Sequence, residues 1–221
     1  MLPRNPQVCV EQVQIAHGVY LGNATLVNAS LHRIYDEVAI VHQPDEGIQH
    51  DGSFHQHGTQ LLAGSYGSVF TNIILAVLMQ TSETAFYMPA TQVASLLALV
   101  LDGQAWMSVG TDNDWDVAVN GRGMTRPPGI DHVGFAPAAL RNITSPRQAE
   151  LAAFAARLAN DPGATPLVGH RHFWDSDYAV QRQATFQYSV RMFSKRTVNA
   201  RCVNEEVGWL PIVLYPPSSV S

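Results

Sequence analysis

A chain of 221 residues with 46% hydrophobic content can bury a sizeable core, while 14% charged residues is low. A net charge of −5 argues against a surface built for nucleic acid, so no nucleic-acid partner is expected. The most apolar stretch, Ile73 to Met79, is far short of the roughly 18 residues a membrane span needs, so no membrane partner is expected either. The opening "MLPRNPQ" lacks the apolar core of a signal peptide. Few charges, together with 9 His, 16 Gly and 13 Pro, suggest an extracellular or loop-rich protein more than a cytosolic helical one. Cys9 and Cys202 are too few for a disulfide framework and leave room for one bridge at most.

In chain order, "VCVEQVQIAHGVY" spaces apolar residues by three and four, and "LGN" supplies a helix stop. A second helix follows with Leu26, Leu31, Ile34, Val38 and Val41 on one stripe, giving an antiparallel helical hairpin. "HQPDEGIQHDGS" reads as a loop. Further helices are expected over Thr59–Met79, over "ATQVASLLALVLDG" closed by Gly103, and over Ser145–Asp161 with Ser145 as its N-cap. Between the last two, a polar Gly-rich loop holds a short strand at Trp115–Val119. Beyond about residue 163 the texture turns to Val, Tyr, Phe and Arg with alternation clearest in "FQYSVRMF", so antiparallel strands are expected. The fold class is α+β in two domains, residues 1–163 helical and residues 164–221 strands that are too few for a complete sheet domain.

Chemistry concentrates in "QHDGSFHQHGTQLLAGSYG", Gln49 to Gly67. Three readings fit it. His55 and His57 with His50 or Asp51 could ligate a metal; the stretch could be a solvated His-rich loop; or His57 and Tyr66 could form an acid/base pair, with small residues leaving room for a ligand at the tyrosine. Downstream, "NGRGMTR" places Arg122 and Arg126 in one short loop, a pattern suited to bidentate capture of a carboxylate or sulfate. Trp106 and Trp115 could stack on sugar rings or serve the core. Asp112, Asp114 and Asp116 alternate like a cation loop but lack the Gly and distal Glu of an EF-hand.

Taken together, "DGSFHQHGTQLLAGSYG" followed by "WDVAVNGRGMTR" resembles the active-site core of the family 8 polysaccharide lyases, which comprise hyaluronate, chondroitin AC and xanthan lyases. The form of the first motif is most similar to the chondroitin AC branch. "FWDSDYAVQRQATFQYSVRMFSKRT" and "NEEVGW" resemble the family's β region more loosely.

The resemblance implies a partial (α/α) toroid of helical hairpins, then the start of an antiparallel β-sandwich. It implies a uronate-containing polysaccharide as partner, no cofactor and no metal. It also implies catalytic roles for His57, Tyr66, Arg122 and, at the family's asparagine position, Asn5 in "PRNPQ". Arg126, Glu205, His55 and Trp115 would contact or support the substrate site. Such a toroid needs more helices than are read here, so the expectation is a fragment or a degenerate relative. Three functions stay open: a lyase working by β-elimination, an inactive carbohydrate-binding remnant, and a His-ligated metal hydrolase.

Overall fold

The computed structural model describes residues 4–109, 114–121, 137–143, 146–197, 201–203, 206–208 and 212–215; for residues 4–6 and from 201 onward it describes the backbone alone. It begins with the expected hairpin. Helix α1 (Arg4–Tyr20) and helix α2 (Ala24–Glu37) run antiparallel around a turn in which Gly22 takes a left-handed φ of 62°. Asn23 caps α2, its side-chain oxygen accepting from the Leu26 amide at 3.0 Å. Gly18 lets the helices close: a Cβ there would lie 2.8 Å from Val27 Cγ2. An Arg33–Glu11 ion pair of 2.7 Å crosses the hairpin. Cys9 is a free, exposed thiol on α1, and the side chain of Cys202 lies outside the described atoms.

The segment read as loop after α2 carries short strands. β1 (Ile40–Val41) pairs parallel with β2 (Gly47–Gln49), which pairs antiparallel with β3 (Phe54–His55). Helix α3 (Tyr66–Thr81) starts seven residues later than the sequence suggested. The cause is local. His57 (φ 56°) and Gly58 (φ 76°) turn the chain left-handed, and Leu61 and Leu62 fold back along β3, the Leu62 amide donating to the Phe54 carbonyl at 3.0 Å. Leu61 and Leu62 are thereby buried as loop residues, which explains why their pattern read as helical. Phe70, Ile74, Leu75, Val77 and Leu78 of α3 bury a broad apolar face in the core.

The next helix does not stop at Gly103. Helix α4 (Ala90–Leu97) continues through a π-helical stretch (Ala98–Gln104) into α5 (Ala105–Met107). Gly103 sits where a Cβ would collide with the Gly52 carbonyl oxygen, so the glycine permits helix and turn to touch backbone to backbone. β4 (Ser108–Val109) and β5 (Asp114–Trp115) pair antiparallel, and a 3₁₀ turn follows over Val117–Val119. Helices α6 (Pro137–Ile143) and α7 (Gln148–Leu158) close the helical part. The residue preceding α7 is Arg147, whose guanidinium grips Asp102 with bonds of 2.7 and 2.8 Å; the expected cap, Ser145, is outside the described residues.

Four strands form an antiparallel sheet in the order β11 (Ile212–Tyr215), β8 (Gln187–Arg191), β7 (Tyr178–Arg182), β6 (Gly169–Phe173). β9 (Arg201–Val203) and β10 (Glu206–Gly208) pair separately. Register places Tyr178 opposite Arg191 and Phe173 opposite Tyr178. The face carrying Phe173, Tyr178, Val180, Arg182, Ser189 and Arg191 is buried, and three of its side chains reach helical-part residues: Tyr178 to Asp116, Arg182 to the Ser108 carbonyl, Arg191 to the Ala118 carbonyl. The fold is therefore α+β, helices first and antiparallel sheets after.

Candidate active site

The turn at His57 and Gly58 throws the His57 ring outward, and the fold-back delivers Tyr66 to the first turn of α3 beneath it. The two rings meet edge to face with centroids 4.9 Å apart at 82°. His57 is exposed and Tyr66 half-buried. The connecting loop is pinned at several points. The Gly58 amide donates to Glu46 Oε1 at 2.8 Å, the Gln60 side-chain amide to the His57 carbonyl at 3.0 Å, and the Gly67 amide to the Leu62 carbonyl at 2.9 Å. Gly64 presses on Trp115 so closely that a Cβ would sit 2.7 Å from the indole Cγ.

The same loop meets the entrance to the arginine loop. The Gly64 amide donates to the Val119 carbonyl at 3.0 Å, and the chain then runs through buried Asn120 to Gly121, which has φ 60°. Arg191 of β8 spans both loops, donating to the Ala118 carbonyl at 2.6 Å and reaching the Leu61 carbonyl at 3.5 Å. Arg122, Arg126 and Glu205 lie outside the described residues, and Asn5 is placed on α1 by its backbone alone.

Two expected sugar contacts need correcting. Trp115 and His55 are both 0% exposed, so neither offers a face to a saccharide. Among the described residues Trp115 is the largest fully buried side chain, and it braces Gly64. His55 is paired with Ser176 at 2.8 Å, and burial, aided by the charge of Arg191, pushes its pKa down to about 4. Two residues apart, His55 and His57 would share a face of a continued strand, but β3 ends at His55 and the left-handed turn at His57 swings its ring outward while His55 stays buried. Among the described residues no three His, Cys, Asp or Glu groups gather as metal ligands. His50 meets His42 instead, with rings tilted by 45° and ring nitrogens 3.2 Å apart.

Several framework residues had no signal in the sequence reading. Asp116, grouped there with an alternating acidic loop, is buried and accepts from Tyr178 at 2.5 Å and from the Ala118 amide at 2.7 Å. Arg182 and Arg191, in an alternating strand pattern, turn inward with their pKa values pushed down to about 10 by burial. Asp51-x-Ser53 could have been found, since an aspartate two residues before a serine commonly bonds its amide.

Comparison with known proteins matches the chain to one family. The polysaccharide lyase family 8 N-terminal alpha-helical domain matches residues 7–157, and the family's super-sandwich domain matches residues 168–209. A chondroitinase-AC of Pedobacter heparinus is 28% identical over 185 residues, covering 82% of this chain and 26% of that protein. A hyaluronate lyase of Enterococcus faecalis is 24% identical over 229 residues, covering 87% of this chain and 22% of that protein. The chain thus spans about a quarter of the length of the curated relatives it matches. Among solved structures, a chondroitinase AC lyase superposes with a TM-score of 0.80 at 24% identity, over 90% of this chain and 30% of that one. A Paenibacillus xanthan lyase gives 0.75 at 20% identity, over 90% and 22%. With the helical domain alone matched over more than half of its residues, the chain belongs to polysaccharide lyase family 8.

Proposed function

We propose that this chain carries the reaction centre of a lyase that cleaves uronate-containing polysaccharide, of the chondroitin or hyaluronan kind, by β-elimination. The observation that carries the reading is the edge-to-face contact of His57 with Tyr66, beside the Gly64–Val119 bond that holds the root of the Arg122 loop against the same segment. In this reading the helices are part of an (α/α) toroid and the sheet opens a β-sandwich. The polymer is met outside the cytoplasm or in the periplasm.

The chemistry follows from the substrate. The C5 proton of a uronate is weakly acidic because the neighbouring carboxylate is already negative. Arg122 and Arg126 neutralise that carboxylate, and the Asn5 amide, supported by Glu205, joins His57 in donating to it as charge develops. Guanidiniums near a phenol favour its phenolate, so Tyr66 can take the C5 proton. The C–H electron pair becomes the C4–C5 double bond, the C4–oxygen bond breaks, and Tyr66 returns the proton to the departing oxygen. A variant of the scheme gives proton abstraction to His57 and leaves protonation of the leaving group to Tyr66. Every step is made by side chains.

The test is to incubate the protein with chondroitin and with hyaluronan and follow ultraviolet absorbance of the unsaturated uronate. A rising signal that a chelator does not suppress supports the reading. Saccharide binding without any signal from folded protein would make the chain a binding remnant, and a chelator-sensitive hydrolysis without the double bond would return the metal reading.

A further inference from the structure

The turn between β6 and β7 is stitched to the segment just ahead of His57. Asp51 Oδ1 accepts from the Ser53 amide at 2.9 Å and from the Ser53 hydroxyl at 2.6 Å. The Ser176 hydroxyl donates to Ser53 Oγ at 2.7 Å, and Ser176 Oγ lies 2.8 Å from His55 Nε2. Asp51, Ser53, His55 and Ser176 are each 0% exposed. Around them the Asp175 amide donates to Asp51 Oδ2 at 2.7 Å, Arg171 donates to the Asp51 carbonyl at 3.1 Å, and the Gln43 side chain donates to the Asp175 carbonyl.

The donors in this chain can be ordered. A carboxylate only accepts, so Ser53 spends its hydrogen on Asp51 and has only a lone pair for Ser176. Ser176 spends its hydrogen on Ser53, so it too has only a lone pair left, and the proton between it and the imidazole must sit on His55 Nε2. His55 is then the neutral Nε2–H tautomer, and its Nδ1, buried with no hydrogen-bond partner among the described residues, is the bare nitrogen. Burial and the Arg191 charge, which both disfavour the imidazolium, agree with that tautomer.

We infer that Ser176, contributed by the sheet, is a positioning residue for the reaction: through the ordered chain His55–Ser176–Ser53–Asp51 it fixes the end of β3 and so aims His57 at Tyr66. His57 is two residues beyond His55, immediately after the strand ends, at a left-handed φ of 56°. An anchored His55 leaves that turn one way to leave the strand. The inference rests on the lyase reading for its catalytic consequence, but the positioning itself has a readout free of turnover.

That readout is ¹H–¹³C NMR of the histidine rings through a pH titration of the whole chain, comparing wild type, Ser176→Ala, Ser176→Thr and Ser53→Ala. In wild type, His55 is expected to stay neutral with the Nε2–H signature between about pH 5.5 and 8, where an ordinary imidazole titrates. Ser176→Ala and Ser53→Ala are expected to displace the His57 ring shifts, and Ser176→Thr, which keeps the hydroxyl, to restore them. Where substrate is turned over, Ser176→Ala should lower kcat by roughly 10- to 100-fold with KM little changed, and should add nothing in a His57→Ala background.

Unmoved His57 resonances in either folded alanine variant would overturn the inference. A displaced His57 in a protein that turns over no uronan would sink the lyase reading and leave the positioning chain standing.

Discussion

The Tyr178 hydroxyl donates to Asp116 Oδ2 at 2.5 Å, joining the buried face of the sheet to the 3₁₀ turn at the root of the Arg122 loop. The same carboxylate supports both buried guanidiniums, Arg182 and Arg191, which burial alone would push toward losing their protons. Removing its charge takes a carboxylate away from two buried cations that keep only Tyr178 and backbone carbonyls beside them. Asp116→Asn is expected to destabilise the protein by about 3–5 kcal/mol, as uncompensated buried charges do. Urea unfolding checks this, and a loss under about 1 kcal/mol would contradict the assigned role.

Gly103 tests the backbone contact with Gly52. In an ordinary helix interior Gly→Ala stabilises by about 1 kcal/mol. Here the added Cβ meets the Gly52 carbonyl oxygen, a backbone atom that cannot rotate away. The sign should therefore reverse. Gly103→Ala is expected to cost about 1–3 kcal/mol, as overpacking does, and to shift the turn carrying Asp51 and Ser53. A thermal melt at or above the wild-type midpoint would refute the contact.

His55 sets a pH window. Its pKa falls from an ordinary 6.5 to about 4 in the fold, through burial first and the Arg191 charge second. The unfolded chain thus binds the proton more readily. The neutral-histidine contribution is fully present above about pH 6.5 and is lost as pH falls toward about 4, to the order of 3 kcal/mol. Glu11 and Glu150 lose theirs lower still, because hydrogen bonds from Arg33 and Arg147 hold both below the usual carboxylate range. Denaturant midpoints at pH 7 and pH 5 should separate in wild type and converge in His55→Asn. Equal slopes in the two proteins would contradict the neutral buried imidazole.

Trp115 should behave as core. Trp115→Ala is expected to cost about 3–5 kcal/mol of stability, whereas a sugar-stacking tryptophan would raise KM and leave the melt unchanged. Folded Trp115→Ala with a normal melt would reopen the stacking role.

The sequence carried the helical hairpin and the order of helices before strands, and it offered His57 with Tyr66 as one of three readings of their stretch. Those rest on apolar period, glycine punctuation and local chain reach, all of which are written in neighbouring residues. It misplaced the start of α3 because Leu61 and Leu62 are buried by folding back on β3, and burial in a loop imitates a helical stripe. It ended a helix at Gly103 because a glycine needed for backbone contact looks the same as one needed for a stop. Ser176, Arg191 and Asp116 stayed hidden because the bonds that join sheet to helical part, Ser176–Ser53, Arg191–Ala118 and Tyr178–Asp116, span 62 or more positions, and no local pattern marks such a partner.

The central claim is that Tyr66 transfers the proton in an elimination. The most direct measurement compares wild type with Tyr66→Phe on chondroitin and hyaluronan, following the ultraviolet absorbance of the unsaturated uronate with chelator present. The account predicts a signal from wild type and a loss of roughly 10²–10⁴-fold in Tyr66→Phe, the range for removing a positioned acid/base group, with the melting midpoint close to wild type. Turnover by Tyr66→Phe at the wild-type rate would contradict it.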